Sequence, residues 1–124
     1  MKLKTQLIVF DAADLAAESA FWAGLTEGTV HAEDEWHTVS VDGKPRLAIQ
    51  LAPDHVPPQW PDGEPQQIHL DLYVEDIRAA HEEAVKLGAR LLQPAGDLDA
   101  AEGFQVYADP AGHPFCLCWA DRTA

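Results

Sequence analysis

Two short segments of this chain carry most of the residues that could do chemistry. His69, Asp71 and Tyr73 alternate along HLDLYV, and Cys116 and Cys118 alternate along PFCLCW. On an extended strand, residues two apart share a face, so each set projects together. Leu70, Leu72 and Val74, like Phe115, Leu117 and Trp119, fall on the opposite faces, where they would pack against helices. A third segment, Arg46–Leu51, places Arg46, Ala48 and Gln50 on one face and Leu47, Ile49 and Leu51 on the other. A fourth, Leu7–Phe10, adds Leu7 and Val9, with Asp11 at its rim. An Asp two residues from a His makes a candidate acid/base pair without a metal. The cysteines are only two, one residue apart, which is neither a disulfide framework nor a zinc motif.

The other histidines offer less. His31 and His37 flank the acidic run Glu33-Asp34-Glu35 and read as exposed. His55 lies in a proline-rich stretch, His81 on a helix and His113 in a turn. The chain contains no H-E-x-x-H, phosphate-binding loop, G-x-G-x-x-G or G-x-S-x-G.

The elements that must position these residues repeat. LIVFDAADLAAESAFWAGLTEG and HLDLYVEDIRAAHEEAVKLGA superpose at an offset of 62, Asp14 falling on Asp76 and Leu7 on His69. In each, a short strand leads to an Asp suited to cap a helix. Leu15, Ser19, Trp22 and Leu25 form one helical stripe, and Ile77, Ala80, Ala84 and Leu87 another, with Gly88 as a stop. Three strand-like runs follow each helix: Thr29–His31, Trp36–Val41 and Arg46–Leu51, then Ala89–Leu92, Phe104–Ala108 and Pro114–Trp119. Asp42-Gly43 is a hairpin turn signal, and Asp109-Pro110-Ala111-Gly112 a second turn. The organisation read from this is one domain over residues 1–124. It comprises module one (1–51), an irregular Pro-rich linker (52–65) and module two (66–121), each module β-α-β-β-β. Trp60 in the linker is expected to anchor on a surface or at an interface.

Composition narrows the function. Eight Lys and Arg stand against 21 Asp and Glu, a net charge of −13. Residues 1–62 carry 10 acidic and 4 basic side chains and residues 63–124 carry 11 and 4, so the whole surface is acidic. No basic patch exists for nucleic acid or an anionic membrane surface. The balance instead favours cationic ligands. No apolar run approaches the ~18 residues of a membrane helix, and the start lacks a signal peptide's apolar stretch. The expected location is cytoplasmic.

The duplicated pattern, carried by HLDLYVEDIRAAHEEAVKLGA, AFWAGLTEG and GFQVYADPAGHPFCLCW with its DPxG turn, resembles the vicinal oxygen chelate superfamily. That group includes glyoxalase I, extradiol dioxygenases, and fosfomycin- and bleomycin-resistance proteins. The resemblance implies an α+β fold of two β-α-β-β-β modules with pseudo-two-fold symmetry, forming a cup-shaped, barrel-like mixed sheet. It also implies a homodimer. The superfamily's metal positions, carried onto this chain, are Leu7, Gln50, His69 and Cys116, and both expected glutamates are missing. Glyoxalase-I and extradiol chemistry are therefore disfavoured. The expectation is a small-molecule binder without a full metal site, of resistance type and suited to a cationic aromatic compound. Its ligand-binding residues are Arg46, Gln50, His69, Asp71, Tyr73, Cys116 and Cys118. The alternative is a metal-dependent lyase, isomerase or dioxygenase using His69, with zinc on His69, Cys116 and Gln50. His69, Asp71 and Cys116 are the catalytic candidates.

Overall fold

In the computed structural model, residue 2 and residues 4–120 are described. The start of module one at residue 1 and the end of module two at residue 121 lie outside them. The chain divides into two compact units between Val56 and Pro57, inside the proline-rich segment. Residues 52–56 thus go with the first unit and residues 57–65 with the second.

The first unit runs β1 (Ile8–Ala12), α1 (Leu15–Thr26), β2 (Thr29–Ala32), β3 (Trp36–Val41) and β4 (Lys44–Leu51). The second runs β5 (Leu70–Tyr73), α2 (Ile77–Leu87), β6 (Arg90–Gln93), β7 (Gly103–Ala108) and β8 (Pro114–Trp119). Each forms one four-stranded mixed sheet of the same order, β1-β4-β3-β2 and β5-β8-β7-β6. In both, the first and last strands pair parallel and the remaining pairs are antiparallel. The mixed sheet expected from the sequence is therefore realised as two sheets, one per module.

The helices start where capping chemistry dictates. The Asp14 carboxylate accepts from Ala17 N–H at 3.0 Å and that of Asp76 from Ala79 N–H at 3.1 Å, each satisfying an otherwise orphaned amide. Helix α2 ends at Gly88, as expected. Helix α1 ends at Glu27 in a left-handed conformation, an end the sequence did not signal. The β3–β4 hairpin turns on Asp42 (φ 52°) and Gly43 (φ 76°), two left-handed residues that match strand twist. In the second turn the Gly112 N–H donates to Asp109 O at 2.9 Å.

Core packing explains why the alternation holds. Helix α1 lies on β3 and β4, burying Leu15, Ser19, Phe21 and Trp22. Trp22 stacks on Phe10 and meets Phe21 edge-on, both at 5.2 Å between ring centres. Leu25, expected in the buried stripe, is only half-buried, while Glu18 is buried. In the second unit α2 lies on β8, and Tyr107 stacks on its cross-strand partner Phe115 at 5.5 Å.

Candidate functional site

The second unit carries a pocket of about 640 Å³ on one face of its sheet. Asp71 and Tyr73 reach it from β5, Cys116 and Cys118 from β8, and Phe104 and Val106 from β7. Parallel pairing sets Asp71 beside Cys116 and Tyr73 beside Cys118. Antiparallel pairing sets Cys116 beside Val106 and Cys118 beside Phe104. Period-two alternation across three strands thus makes one continuous surface, while Leu70, Leu72, Phe115 and Leu117 stay out of the lining. His69 directly precedes β5 and keeps the same face. Trp119 departs from its expected helix-facing role. At the strand end its indole Nε1–H donates to Ala100 O at 2.8 Å, and the residue also lines the pocket.

At the polar corner, His69 Nε2 lies 3.2 Å from Asp71 Oδ1, with both side chains nearly half exposed. Ligand atoms of His69, Asp71 and Cys116 all lie within 4.8 Å of one another. The two thiols form no disulfide and are buried. Burial pushes the Cys116 thiol up to about 12, helped by the neighbouring Asp71 charge, by Cys118 and by the hydrogen bond to Asp71. It is a neutral donor at physiological pH, not the thiolate the zinc alternative needs. A metal would have to displace that proton.

This shift has a measurable consequence. The unfolded thiol ionises near its ordinary value of about 9, whereas the folded one holds its proton to about 12. The folded state therefore binds more protons between those limits, and stability must fall as pH rises through them. Urea midpoints measured from pH 8 to 11 are expected to decline, and less steeply in Cys116→Ala. Identical slopes in the two proteins would refute the assignment.

The sequence placed Gln50 as the first-module counterpart of Cys116, and the strand register revises that. Asp71 pairs with Cys116, while Val9, its counterpart at the offset of 62, pairs with Ala48. The first-module equivalents of His69, Asp71 and Cys116 are thus Leu7, Val9 and Ala48, none of which can donate to a metal. Gln50 pairs with Asp11 and corresponds to Cys118, which pairs with Tyr73. The resemblance carried Gln50 over by position alone, whereas pairing with β1 fixes the register and puts Ala48 there. Arg46 and Gln50 are exposed positions of β4 in the first unit, and neither lines the second unit's pocket.

Several histidines also differ from expectation or acquire roles. His37 is half-buried rather than exposed, with Nδ1 2.8 Å from Ser19 Oγ. His113 pairs with the buried Asp109 at 2.9 Å, fixing the turn before β8. His81 Nδ1 lies 2.7 Å from the Tyr107 hydroxyl.

Sequence reasoning missed Trp60, Glu102, Phe104 and Val106 as pocket residues. The last three share the parity of one strand, and extending the alternation to β7 would have found them. Trp60 packs against Val106, Cys116 and Cys118, with Leu92 beside them. The surface it was expected to anchor on is this sheet face.

A duplicated β-α-β-β-β module, with each sheet ordered first-fourth-third-second, defines the vicinal oxygen chelate fold. The sequence model of the glyoxalase-like domain matches residues 7–118, and the chain belongs to that family. Among curated proteins, none matches this chain by sequence. Solved structures share the fold. The genomically encoded fosfomycin resistance protein FosX of Listeria monocytogenes aligns with TM-score 0.74 at 14% identity, covering 100% of this chain and 96% of its own. FosX of Mesorhizobium loti aligns with TM-score 0.71 at 15% identity, covering 97% and 94%. A glyoxalase-related enzyme of Fulvimarina pelagi aligns with TM-score 0.67 at 20% identity, covering 94% and 88%. No helix among the described residues is long and apolar enough to cross a membrane.

Proposed function

We propose that this protein binds a cationic aromatic small molecule in the pocket of its second module, as a resistance-type sequestering protein. One observation carries the reading: the lining joins Trp60, Tyr73, Phe104 and Trp119 to the carboxylates of Asp71 and Glu102, with no Lys or Arg. Aromatic faces and carboxylates both attract cations, and a net charge of −13 raises their local concentration. Tyr73 and Phe104 are about half exposed, at 54% and 50%, so a ligand has apolar surface to cover.

Thermal shift with metal-free bleomycin tests this. At about 100 times a micromolar Kd, binding stabilises the fold by about 2.7 kcal/mol and must raise Tm. Asp71→Asn is expected to weaken binding about fivefold, because the lost ion pair is partly exposed to solvent. No Tm rise with bleomycin or any other cationic aromatic compound would sink the reading.

The clustering of His69, Asp71 and Cys116 favours a second reading, a metal-dependent enzyme. One nitrogen, one oxygen and one sulfur donor with an open position suit zinc. Such an ion would supply Lewis-acid chemistry at the pocket, with Asp71 and His69 as its ligands rather than as an acid/base pair. Metal analysis of untagged protein after zinc loading decides it: less than one zinc per chain at micromolar concentration removes this reading.

A further inference from the structure

We infer that Trp60 is the stacking wall of this pocket and the residue that selects flat aromatic groups. The inference rests on the reading that the pocket takes a small molecule, and it names the side chain that recognises the ring. Three of the pocket's four aromatic residues belong to the sheet: Tyr73 on β5, Phe104 on β7 and Trp119 on β8. Trp60 alone comes from the loop that precedes β5. The loop lays it on Val106, Cys116 and Cys118, the apolar floor of the pocket. The indole is half-buried, and among the described residues its N–H has no hydrogen-bond partner. It therefore offers a bound ring an uncommitted donor as well as apolar surface.

The loop is built to hold that position. Gln59 N–H donates to Glu64 O at 2.8 Å, closing the loop around Trp60. Gly63 sits inside the closure at φ +100°, where an L-residue is strained, and a Cβ there would lie 2.8 Å from Gln59 Cβ. Pro57 packs over Gly112 of the β7–β8 turn, tying the start of the loop to the sheet. Prolines at 57, 58, 61 and 65 fix φ at four positions of the loop and stiffen its folded backbone, which lowers the ordering cost of binding a ligand. The wall is preorganised, and a group as flat as the indole gains most from it.

Three probes separate ring from charge: acridine orange (a planar cation), spermidine (a cation without a ring) and N-phenyl-1-naphthylamine (an uncharged aryl). Fluorescence titration is expected to show acridine orange binding about tenfold more weakly to Trp60→Ala and within about threefold of wild type to Trp60→Phe. Gly63→Ala, which keeps the indole but deforms its loop, should approach Trp60→Ala while Tm stays within a few degrees. Competition by spermidine should weaken by no more than about threefold in Trp60→Ala, the cation–π share of the indole, and the uncharged aryl should lose affinity in parallel with acridine orange. Unchanged acridine orange binding in Trp60→Ala and Gly63→Ala overturns the inference and leaves the cation-binding reading standing. Trp60-dependent binding of the uncharged aryl, with no cation bound, upholds the inference and overturns that reading. No probe bound to wild type overturns both.

Discussion

Trp22→Ala is expected to destabilise the protein by about 4 kcal/mol, most of the margin of an ordinary small domain. Trp22 is 1% exposed. Its ring is stacked on Phe10 and packed against the edge of Phe21, so truncation removes two aromatic contacts and leaves a cavity that helix α1 and its strands cannot fill. The cost combines lost transfer energy with the cavity itself. Trp22→Phe keeps one ring in place and should cost less than half as much. Urea denaturation at neutral pH measures both. A loss below 1 kcal/mol for Trp22→Ala would mean that α1 does not pack as described.

The second large effect concerns one hydroxyl. Tyr107 is fully buried, and its oxygen accepts from Gln105 Nε2 at 2.8 Å while lying 2.7 Å from His81 Nδ1. Gln105 cannot turn away, because its Oε1 already accepts from Ala95 N–H at 3.1 Å. Among the described residues no buried side-chain nitrogen or oxygen lacks a partner, and Tyr107→Phe would create one. The expected cost is about 2 kcal/mol, the desolvation penalty of an orphaned donor rather than the value of one hydrogen bond. Adding Gln105→Leu removes that orphaned amide but also takes the acceptor from Ala95 N–H, so the double variant should cost less than the sum of the two single variants. A single-variant effect within 0.5 kcal/mol of zero, or a double variant worse than the sum of both, would contradict this account. Burial also raises the Tyr107 phenol, so the hydroxyl keeps its proton into the alkaline range.

Much of this was legible in the chain itself, because it rests on local rules. Asp14 and Asp76 mark helix starts, since a carboxylate at that position satisfies an amide wherever the helix lies. Asp42-Gly43 sets a hairpin, since both positions need a positive φ. The alternation of His69, Asp71 and Tyr73, and of Cys116 and Cys118, assigns a common face because strand geometry has a period of two. The offset of 62 exposes the duplicated module, and with it the superfamily.

Tertiary structure decided what depends on register and on distance in sequence. Only strand pairing shows that Ala48, not Gln50, stands opposite Val9, because that register is set by the hydrogen bonds β4 makes to β1, a strand distant in sequence. Only packing shows that Trp60, more than forty residues from Val106, closes over the cysteines. The Cys116 thiol is protonated for the same reason: its burial and the approach of Asp71 are created by β5 and β8 lying side by side. A local pattern can name the side chains that share a face, but the charge state of any one of them is set by neighbours that the chain brings together only when it folds.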